Sequence, residues 1–453
     1  MESIWTESRP RISEKKKELP KQAEVVIIGG GMAGLLCAYL LEHAGIKSVL
    51  LEARGICSGQ TERTTAKITS QHGLIYDQLS NTFDERTAGL YGRLNQRAID
   101  EYERIIKLRN ISCDFVRLPS YLYTETEGGM RLLEKERTAA KRAGIQASIV
   151  YETDLPFQVK GALKYENQAQ FHPLKFLAGI VDELEIFEYT TVIRAEGNYV
   201  VSDKGTIQAE HIVFATHFPF INVPGYYFAR MHQERSYVLA LKRPVDKRGN
   251  VTELRGMYYG IDKKGLSFRQ EGDTILFGGS SHRTGIVPRE DPFVSLRKRA
   301  EEFWSDYEET FAWAAQDCMT LDHLPYVGQF SKKTPEWYVA TGFGKWGMTG
   351  SMLAAMTIRD ALMGYERPDW EILSPQRKLT TEAMKSFGKE IRHTTANFVT
   401  FKRPRCPHLG CRLVWNPYEK TWDCPCHGSR LREDGTVIDN PAQGSDCDEV
   451  LRG

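Results

Sequence analysis

The sequence lacks the features that would place the protein in a membrane or on a nucleic acid. It contains no apolar run of roughly eighteen residues, the length that a membrane-spanning helix needs. Residues 1–20 are charged and polar, without the apolar core of a secretory signal peptide. The 60 basic residues are balanced by 59 acidic ones, so no excess of charge favours nucleic acid or an anionic membrane as a partner. We therefore expect a soluble, cytoplasmic protein with no membrane span and no nucleic-acid partner.

Cysteine is scarce over most of the chain and concentrated at its end. Of the nine cysteines, four are scattered before residue 320, and the other five are Cys406, Cys411, Cys424, Cys426 and Cys447. In an intracellular chain this crowding favours a metal or cluster site over a disulfide scaffold. The total of 453 residues allows two to three domains.

A glycine-rich turn between apolar segments is the first motif of the chain. Residues 24–28 are a short β-branched run that suits a strand, and residues 35–41 suit a buried helix. A second apolar run, residues 48–51, ends at Glu52, where a dinucleotide-binding fold places the acid that binds a ribose hydroxyl. Between strand and helix lies a GxGxxG pattern formed by Gly29, Gly31 and Gly34.

Each glycine of this pattern has a separate physical role. Gly29 permits the tight turn, Gly31 lets the backbone approach a pyrophosphate, and Gly34 allows close packing of helix on strand. The free N–H groups at the helix start, which include Met32 and Ala33, then face the anion. A bare GxGxxG also occurs in ordinary glycine turns. The strand before it, the helix after it and the acid at the right distance favour nucleotide binding here.

The segment after Glu52 is rich in small hydroxyl and basic residues. It is either a solvated loop or, directly after a ribose-binding acid, a segment that wraps phosphates and a flavin. We favour the second interpretation, which predicts cofactor contacts from Ala53, Arg54, Arg63, Thr64, Thr65, Ala66 and Lys67.

Four later stretches, residues 167–173, 212–217, 324–328 and 339–349, make a family resemblance specific. With the glycine turn, and in the same order, they resemble the FAD-dependent oxidoreductases of the D-amino-acid oxidase, glycine oxidase and sarcosine oxidase superfamily. The resemblance implies an α/β fold with a Rossmann-like FAD-binding domain and a substrate domain built on an antiparallel sheet. The expected boundaries are an extension at 1–23, FAD-binding parts at about 24–90, 165–220 and 320–365, substrate-domain parts at about 91–164 and 221–319, and a connector at 366–400.

The same resemblance implies further contacts with the flavin. A glycine loop at residues 342–350 enters an apolar helix predicted over 352–363, and a helix N-terminus aimed at the flavin would stabilise the negative charge that develops on reduction. The residues expected at the cofactor are Val192, Thr216, Gly342, Gly344, Lys345, Trp346, Gly347, Met348 and Thr349.

The substrate site is less well defined. Tyr259 and Arg269 fall in the predicted substrate domain, where they either pack in a sheet or at the surface or line the pocket. The amino-acid oxidases of the family clamp a substrate carboxylate with an arginine that residues 316–323 do not contain. A free amino acid is therefore a doubtful substrate. Asp317 or Asp322 instead either faces a cationic amine or is an ordinary loop acid. The candidate catalytic residues are Arg269, Tyr259 and Asp317.

Two Cys- and His-containing loops near the end of the chain give the sharpest signal. Cys406 and His408 belong to the first loop, and Cys424 and His427 to the second. The motif resembles a Rieske [2Fe–2S] domain of the cytochrome bc-complex type, in which one iron takes two thiolates and the other two imidazoles. The resemblance implies that these four residues are the ligands and that a disulfide joins Cys411 and Cys426. A structural zinc site is the alternative, although zinc sites favour paired CxxC motifs.

The predicted all-β Rieske domain, residues 401–453, is abbreviated. We therefore expect it to lean on the flavin domain for burial, which could bring the cluster and the flavin near each other. Ser429 occupies the position of the family's cluster-bonding serine, whereas the tyrosine two positions on is Leu431 here.

These features predict an FAD-dependent dehydrogenase that oxidises a C–N bond of an amine or amino compound. Electrons would then pass singly through the cluster to an external acceptor. Two alternatives stay open: a reductase in which an external donor supplies electrons through the cluster, and a non-catalytic redox sensor.

Overall fold

The computed structural model describes residues 2–10, 18–263, 265–398 and 404–443. Cys447 and the rest of the chain after residue 443 lie outside the described residues, as do 401–403 of the predicted Rieske domain.

Two large sheets and one small sheet contain the strands. In chain order, these are β1 Gln22–Ile28, β2 Ser48–Leu51, β3 Lys67–Ile68, β4 Val116–Thr124, β5 Ala147–Val150, β6 Gly161–Gln170, β7 Glu185–Phe187, β8 Val192–Glu196, β9 Tyr199–Ser202, β10 Gly205–Phe214, β11 Met231–Asp246, β12 Met257–Gly260, β13 Ser267–Glu271, β14 Thr274–Arg283, β15 Trp304–Thr320, β16 Tyr326–Ser331, β17 Thr334–Thr341, β18 Val414–Asn416, β19 Thr421–Asp423, β20 Arg430–Leu431 and β21 Val437–Asp439.

The α-helices connect and cover these strands. They are α1 Met32–Glu42, α2 Ile75–Thr82, α3 Glu85–Arg109, α4 Glu127–Arg142, α5 Pro173–Ala178, α6 Pro292–Phe303, α7 Gly347–Leu362 and α8 Thr381–Phe398. Helix α7 begins five residues before the predicted start at residue 352. No helix among the described residues combines the length and the apolar character needed to cross a lipid bilayer.

A mainly parallel sheet organises the first layer, with strand order β16-β17-β10-β1-β2-β7 and with β9 and β8 added beside β10. Strands β17, β10, β1, β2 and β7 run parallel. The alternate residues of β1 pack on opposite faces, so Val25 and Ile27 contact the core that contains α1 and α7, whereas Val26 and Ile28 join a second core. Because both faces are covered, the strand reads as a continuous apolar run.

A second, larger sheet forms the expected substrate domain, with strand order β15-β11-β14-β13-β12-β4-β6-β3 and with β5 beside β6. All of its pairings are antiparallel except that of β12 with β4. The expected mixed α/β architecture with an antiparallel substrate sheet is confirmed. The short strand β3 follows the segment after Glu52, so this sheet and the parallel sheet meet at that segment.

Residues 404–443, which we call the C-terminal unit, form a small antiparallel sheet in the order β18-β19-β20-β21. A buried charge network joins this unit to β11 of the large sheet. The Glu419 carboxylate lies between the guanidinium groups of Arg235 and Arg430, and the side chains of Arg235 and Glu419 are each 1% exposed. Arg430 also contacts Asp423 and Asp439, each at 3.1 Å. The expectation that this unit leans on the rest of the protein is confirmed.

The pKa of Glu419 shows which effect dominates in this network. Burial would raise the pKa, but Arg235 and Arg430 outweigh it and lower the pKa to about 2 from an ordinary value of 4.5. A carboxyl group whose pKa is lower in the folded state stabilises that state above its unfolded pKa. The stabilisation is lost as the pH falls through the folded pKa. The network therefore contributes fully at neutral pH and fails between about pH 4.5 and pH 2.

We predict that Glu419→Gln destabilises the protein by about 3–5 kcal/mol, because it leaves two buried guanidinium groups without their shared carboxylate. Urea unfolding at neutral pH measures the change. The matched control is Glu290→Gln, which breaks the exposed pair of Glu290 with Lys298 and should cost no more than about 1 kcal/mol. Equal losses of stability in the two variants would contradict the stabilising role assigned to the buried Glu419 carboxylate.

Candidate cofactor sites

A large cavity of about 1010 Å³ lies at the carboxyl ends of the parallel strands β1, β2, β10 and β17. Ligands bind at this position in open parallel sheets. Most of the residues predicted to contact a cofactor line this cavity. They are Gly29, Gly31, Met32, Ala33, Glu52, Ala53, Arg54, Arg63, Thr64, Thr65, Lys67, Val192, Thr216, Gly342, Gly344, Lys345, Trp346, Gly347 and Met348.

The glycine turn brings α1 against the end of β1. Gly29 has a φ of +111°, and a Cβ there would lie 2.5 Å from the carbonyl oxygen of Ala215. A Cβ on Gly34 would overlap the carbonyl oxygen of Gly29, so only glycine permits this approach. Helix α1 has no side-chain cap at Gly31. The N–H of Met32 donates to the Thr61 hydroxyl at 2.9 Å, so the next N–H of the first turn, that of Ala33, is the group offered to an anion in the cavity.

The acid after β2 is held at the same turn. The Glu52 carboxylate accepts hydrogen bonds from the backbone N–H of Gly30 at 2.7 Å and of Arg54 at 2.9 Å. These bonds fix the side chain at the cavity wall, where the dinucleotide fold needs it.

One wall of the cavity comes from the C-terminal unit. Arg54 donates a hydrogen bond to the carbonyl oxygen of Ile438 at 3.1 Å, and Arg63 lies 3.8 Å from the Asp439 carboxylate. Gln443 donates to the Val192 carbonyl oxygen at 3.0 Å. The cavity is therefore closed by residues that are distant from the glycine turn in the sequence.

The two Cys- and His-containing loops face each other beside this wall. Cys406 and Cys424 are buried free thiols, and a disulfide joins Cys411 to Cys426. The rings of His408 and His427 lie edge to face with their centroids 5.0 Å apart. Backbone bonds hold each loop, from Gly410 N to Cys406 O at 2.8 Å and from Gly428 N to Cys424 O at 2.9 Å.

The two imidazoles are prepared to bind a metal. Burial lowers the pKa of His408 to about 4, and burial with the nearby His408 lowers the pKa of His427 to about 3, so both rings are neutral at physiological pH. In the described part of the chain, Nδ1 of both rings is buried without a hydrogen-bond partner. Asn222 Oδ1 contacts Nε2 of His408 at 2.7 Å, and a proton donated there leaves Nδ1 with a free lone pair.

A single side chain ties the second loop to the cavity wall. Nε2 of Gln233 donates to the carbonyl oxygen of His427 at 2.7 Å and to that of Asn440 at 2.9 Å. Because both bonds share one nitrogen, the two oxygens are no more than 5.6 Å apart, the sum of the two distances. Asn440 lines the cavity. The backbone of a predicted cluster ligand thus lies next to the cavity.

Comparison with known proteins assigns the family. The model of the FAD dependent oxidoreductase (DAO) family matches residues 24–361, which is most of the chain. The protein is an FAD-dependent oxidoreductase of the DAO family. The Rieske [2Fe-2S] domain model matches residues 388–450 of this oxidoreductase, and so begins within the segment predicted to be a connector.

Similar proteins support both assignments. The Rieske-type protein YhfW of Bacillus subtilis (strain 168) is 33% identical over 97% of this chain and 96% of its own. The cytochrome b6-f complex iron-sulfur subunit 3 of Nostoc sp. is 54% identical over 37 residues, 8% of this chain and 21% of that subunit. Among solved structures, glycine oxidase from Geobacillus kaustophilus superposes with a TM-score of 0.65 at 19% identity, covering 79% of this chain and all of that one.

The residues present fit both cofactors of the oxidoreductase. The cavity offers a glycine cradle and helix N–H groups for the FAD pyrophosphate, and Glu52 for its ribose. The C-terminal unit offers two thiols and two neutral imidazoles, the donor set of a Rieske cluster. The sulfur atoms of Cys411, Cys424 and Cys426 lie close together. Because the disulfide joins Cys411 to Cys426, only Cys424 of these three is free to bind a metal. Cys406 and Cys424 with the two imidazoles would also suffice for a single zinc ion, and it is the match of the Rieske domain model to residues 388–450 that favours the cluster.

Aromatic and charged side chains line the part of the cavity that contains the predicted catalytic residues Tyr259 and Asp317. Tyr259 packs edge-on against Trp346 with ring centroids 5.5 Å apart, and both line the cavity. Lys345 contacts the carboxylate of Asp317, which lines the cavity, at 3.2 Å and the carboxylate of Glu234, which does not, at 3.3 Å. Asp317 is therefore at the cavity as predicted, but it faces a lysine of the protein itself.

Arg269 does not line the cavity in the described structure, which corrects its prediction as a catalytic residue. The fully buried guanidinium donates to the carbonyl oxygens of Thr65 at 2.6 Å and Phe171 at 3.1 Å, pairs with Glu271, and lies 5.2 Å from the ring of Trp5. It joins the N-terminal segment, β13 and the loop before β3, so its role is structural.

Asp322 is also structural. Its carboxylate receives two hydrogen bonds from the Arg377 guanidinium, both at 2.7 Å, and its side chain is fully buried. It does not belong to the cavity wall among the described residues. Asp322 therefore faces no substrate amine, and it is not a solvated loop acid either, because it is buried in an ion pair with Arg377.

Three predicted cofactor residues support the cavity from behind. Gly34 packs against Gly29, Ala66 is buried with a φ of +53°, and the Thr349 hydroxyl bonds the backbone of Thr69 twice at 2.9 Å. None of the three lines the cavity in the part of the chain that the structure describes.

Sequence reasoning missed the residues that join the C-terminal unit to the rest of the protein. Gln233, Asn222 and Asp439 meet partners that are about 200 to 380 positions away. The sequence signal was weak, because Gln233 and Arg235 lie in the polar stretch 232–236 and only the structure shows that both are buried and therefore need partners.

We predict that Gly34→Ala weakens FAD binding by roughly tenfold or more, because its Cβ overlaps the Gly29 carbonyl and overpacking of this kind costs about 1–3 kcal/mol. The ratio of bound FAD to protein after dialysis measures it. Gly388→Ala in α8 is the matched control. A Cβ there meets nothing within 4 Å, so FAD content should not change.

We predict that Cys424→Ser removes the cluster, because the thiolate is one of two that hold an iron. Iron and acid-labile sulfide, measured per chain, should fall to near zero. Cys113→Ser replaces another buried free thiol far from the loops in sequence and should leave both values unchanged. Zinc without sulfide in the unmodified protein would exclude the Rieske assignment.

Proposed function

We propose that the protein is an FAD-dependent dehydrogenase that oxidises a C–N bond of an amine or amino compound and delivers the electrons through its Rieske cluster to an external acceptor. When bound, FAD accepts a hydride and the [2Fe–2S] cluster accepts single electrons. The residues of the chain hold and orient the two cofactors and set the charge of the cavity in which this chemistry occurs.

The observation that carries the proposal is the shared cavity wall. Asn440 lines the cavity and, through Gln233, lies within 5.6 Å of the His427 carbonyl oxygen, as measured between the two backbone oxygens. The loop after β10 supports the same arrangement. It begins with Thr216 and His217 at the cavity, and its Phe218 and Phe228 rings lie 6.3 and 5.8 Å from the ring of His427. An enzyme that reduced oxygen directly would have no use for this adjacency.

The charges at the cavity favour an amine over a carboxylate substrate. Arg54 and Arg63 are the arginines that line the described cavity, and both contact the C-terminal unit. No arginine is therefore free there to clamp a carboxylate. Glu234 and Asp317 together surround Lys345, and the hydrogen bond from His232 lowers the pKa of Glu234 to about 2. Because Lys345 is already paired with these two acids, it too is not free to bind a carboxylate, and an amine without a carboxylate suits the site better.

The N-terminus of α7 is suited to stabilise the negative charge that develops on a bound flavin when it is reduced. The helix begins at Gly347, its N-cap residue Trp346 provides no side-chain cap, and Met348 and Ser351 line the cavity. The uncapped N–H groups and the helix dipole stabilise an electron-rich ring placed against them. Trp346 is held by stacking on His72, with ring centroids 4.6 Å apart.

An anaerobic titration with a panel of secondary amines and amino compounds tests the proposal. We expect one class of amine to bleach the flavin absorbance first and the reduced-cluster EPR signal to appear afterwards. In the Cys424→Ser variant the bleaching should persist and the EPR signal should be absent. Flavin bleaching without any cluster signal in the unmodified protein would contradict the proposed transfer.

The same experiment distinguishes the opposite direction of flow. If a chemically reduced ferredoxin reduces the cluster and then the flavin, while no amine reduces either centre, the protein is a reductase.

A further inference from the structure

Two partly buried lysines line the same cavity in opposite electrostatic environments. Lys345 lies between the carboxylates of Asp317 and Glu234, at 3.2 and 3.3 Å. Burial alone would lower the pKa of Lys345, but the two carboxylates outweigh it and raise the pKa far above its ordinary value. Lys345 is therefore a permanent cation.

Lys67 has no carboxylate partner among the described residues. Its Nζ donates to the Ser267 hydroxyl and to the carbonyl oxygen of Tyr258 at 3.2 Å, and both acceptors are uncharged. Burial, with a smaller contribution from the Arg269 guanidinium, lowers the pKa of Lys67 to about 7. The amine is thus in part neutral at physiological pH, and it faces the cavity.

The other groups around Lys67 do not supply a compensating charge. Strand β12 contributes Tyr259, whose pKa burial raises, so its phenol is neutral. Strand β13 contributes the cation Arg269, and β6 places the uncharged Gln170 opposite Lys67 in the ladder. Across the cavity, the charge of Asp317 is matched by Lys345.

We propose that Lys67 is the proton acceptor of the reaction, which takes a proton from the ammonium form of the substrate before hydride leaves the neighbouring carbon. This inference rests on the proposed amine oxidation. In the step, one substrate N–H bond breaks and an N–H bond to Lys67 Nζ forms, which leaves a lone pair on the substrate nitrogen. That pair becomes the second C–N bond as the hydride departs to FAD.

The chemistry requires such a group. An ammonium nitrogen has no lone pair, so it cannot form the double bond that compensates for loss of hydride. A base works best when its pKa lies near the operating pH. Paired groups whose environments drive their pKa values apart are typical of acid–base sites. Here the neutral partner is Lys67 and the charged partner is Lys345.

The first test is the pH profile of flavin reduction by an active amine. In the unmodified protein the rate should rise through a midpoint near pH 7. In Lys67→Ala it should fall by about 10²–10⁴-fold at pH 7 and should track the free-base fraction of the substrate in solution. Lys67→Arg keeps the positive charge but cannot accept a proton, so it should be as slow as Lys67→Ala. Lys298→Ala, at an exposed position, is the control that should leave the profile unchanged.

An unchanged profile in Lys67→Ala, with amine oxidation intact, would overturn the role of Lys67 and leave the proposed function standing.

The second test does not depend on turnover. The holoprotein is labelled with trace acetic anhydride at a series of pH values, and mass spectrometry gives the acetylation rate of each lysine. Lys67 should label with a midpoint near pH 7, whereas exposed Lys298 should follow an ordinary midpoint near 10.4. Lys345 should stay unreactive until higher pH. A Lys67 that follows Lys298, or that resists this small reagent at every pH, would contradict the proposal even if no amine substrate had been found.

Discussion

The position of the Glu419 carboxylate between Arg235 and Arg430 is the constraint on which the two-centre arrangement depends. Arg235 comes from the long strand β11 of the substrate sheet, and Arg430 comes from β20 of the C-terminal unit. Two buried guanidinium groups repel each other and lose hydration. Asp423 and Asp439 also pair with Arg430, whereas Arg235 depends on the shared Glu419 carboxylate for its ion pair in the described structure. The unit is thereby fixed at one orientation on the substrate sheet of the oxidoreductase.

That orientation explains how a short Rieske segment can hold a cluster site. The small sheet β18–β21 has a core of few residues, among them Leu413, Leu431 and Ala442. The remaining burial comes from the oxidoreductase part of the chain, through Phe218 and Phe228 against His427 and through Gln316, whose side chain donates to the Gly428 carbonyl oxygen at 2.6 Å. This part supplies the covering surface that a larger Rieske domain would provide for itself.

The local motifs could be predicted from the sequence because their chemistry depends on short spacing. The turn from Gly29 to Gly34 and the loops around Cys406 and Cys424 each place their functional atoms within a few residues, so pattern and function coincide. The start of α7 was missed because Gly347 and Gly350 disfavour a helix in isolation. The burial of Met348, Thr349 and Ser351 against the core outweighs that preference.

Which charged side chains reach the cavity could not be predicted from the sequence, for a different reason. Arg269 and Lys67 are distant in the chain, and whether either one reaches the cavity depends on which carbonyls and acids surround it. Arg269 meets Glu271 and two carbonyl oxygens behind the wall, whereas Lys67 meets only uncharged groups among the described residues. Apart from Glu271, which lies two residues from Arg269 on β13, these partners come from other segments of the chain, so local sequence does not reveal them.

The short path from Gly428 to Asn440 has a consequence for how the protein keeps its cofactors. This one stretch follows a cluster ligand at one end and closes the flavin cavity at the other. Metal binding orders the chain that provides the ligands. The far end of the stretch is held separately, because Arg54 bonds Ile438, Gln60 bonds Asp439 and Gln233 bonds Asn440. Loss of iron would therefore loosen the loop of Cys424 first and leave the wall of the flavin cavity in place.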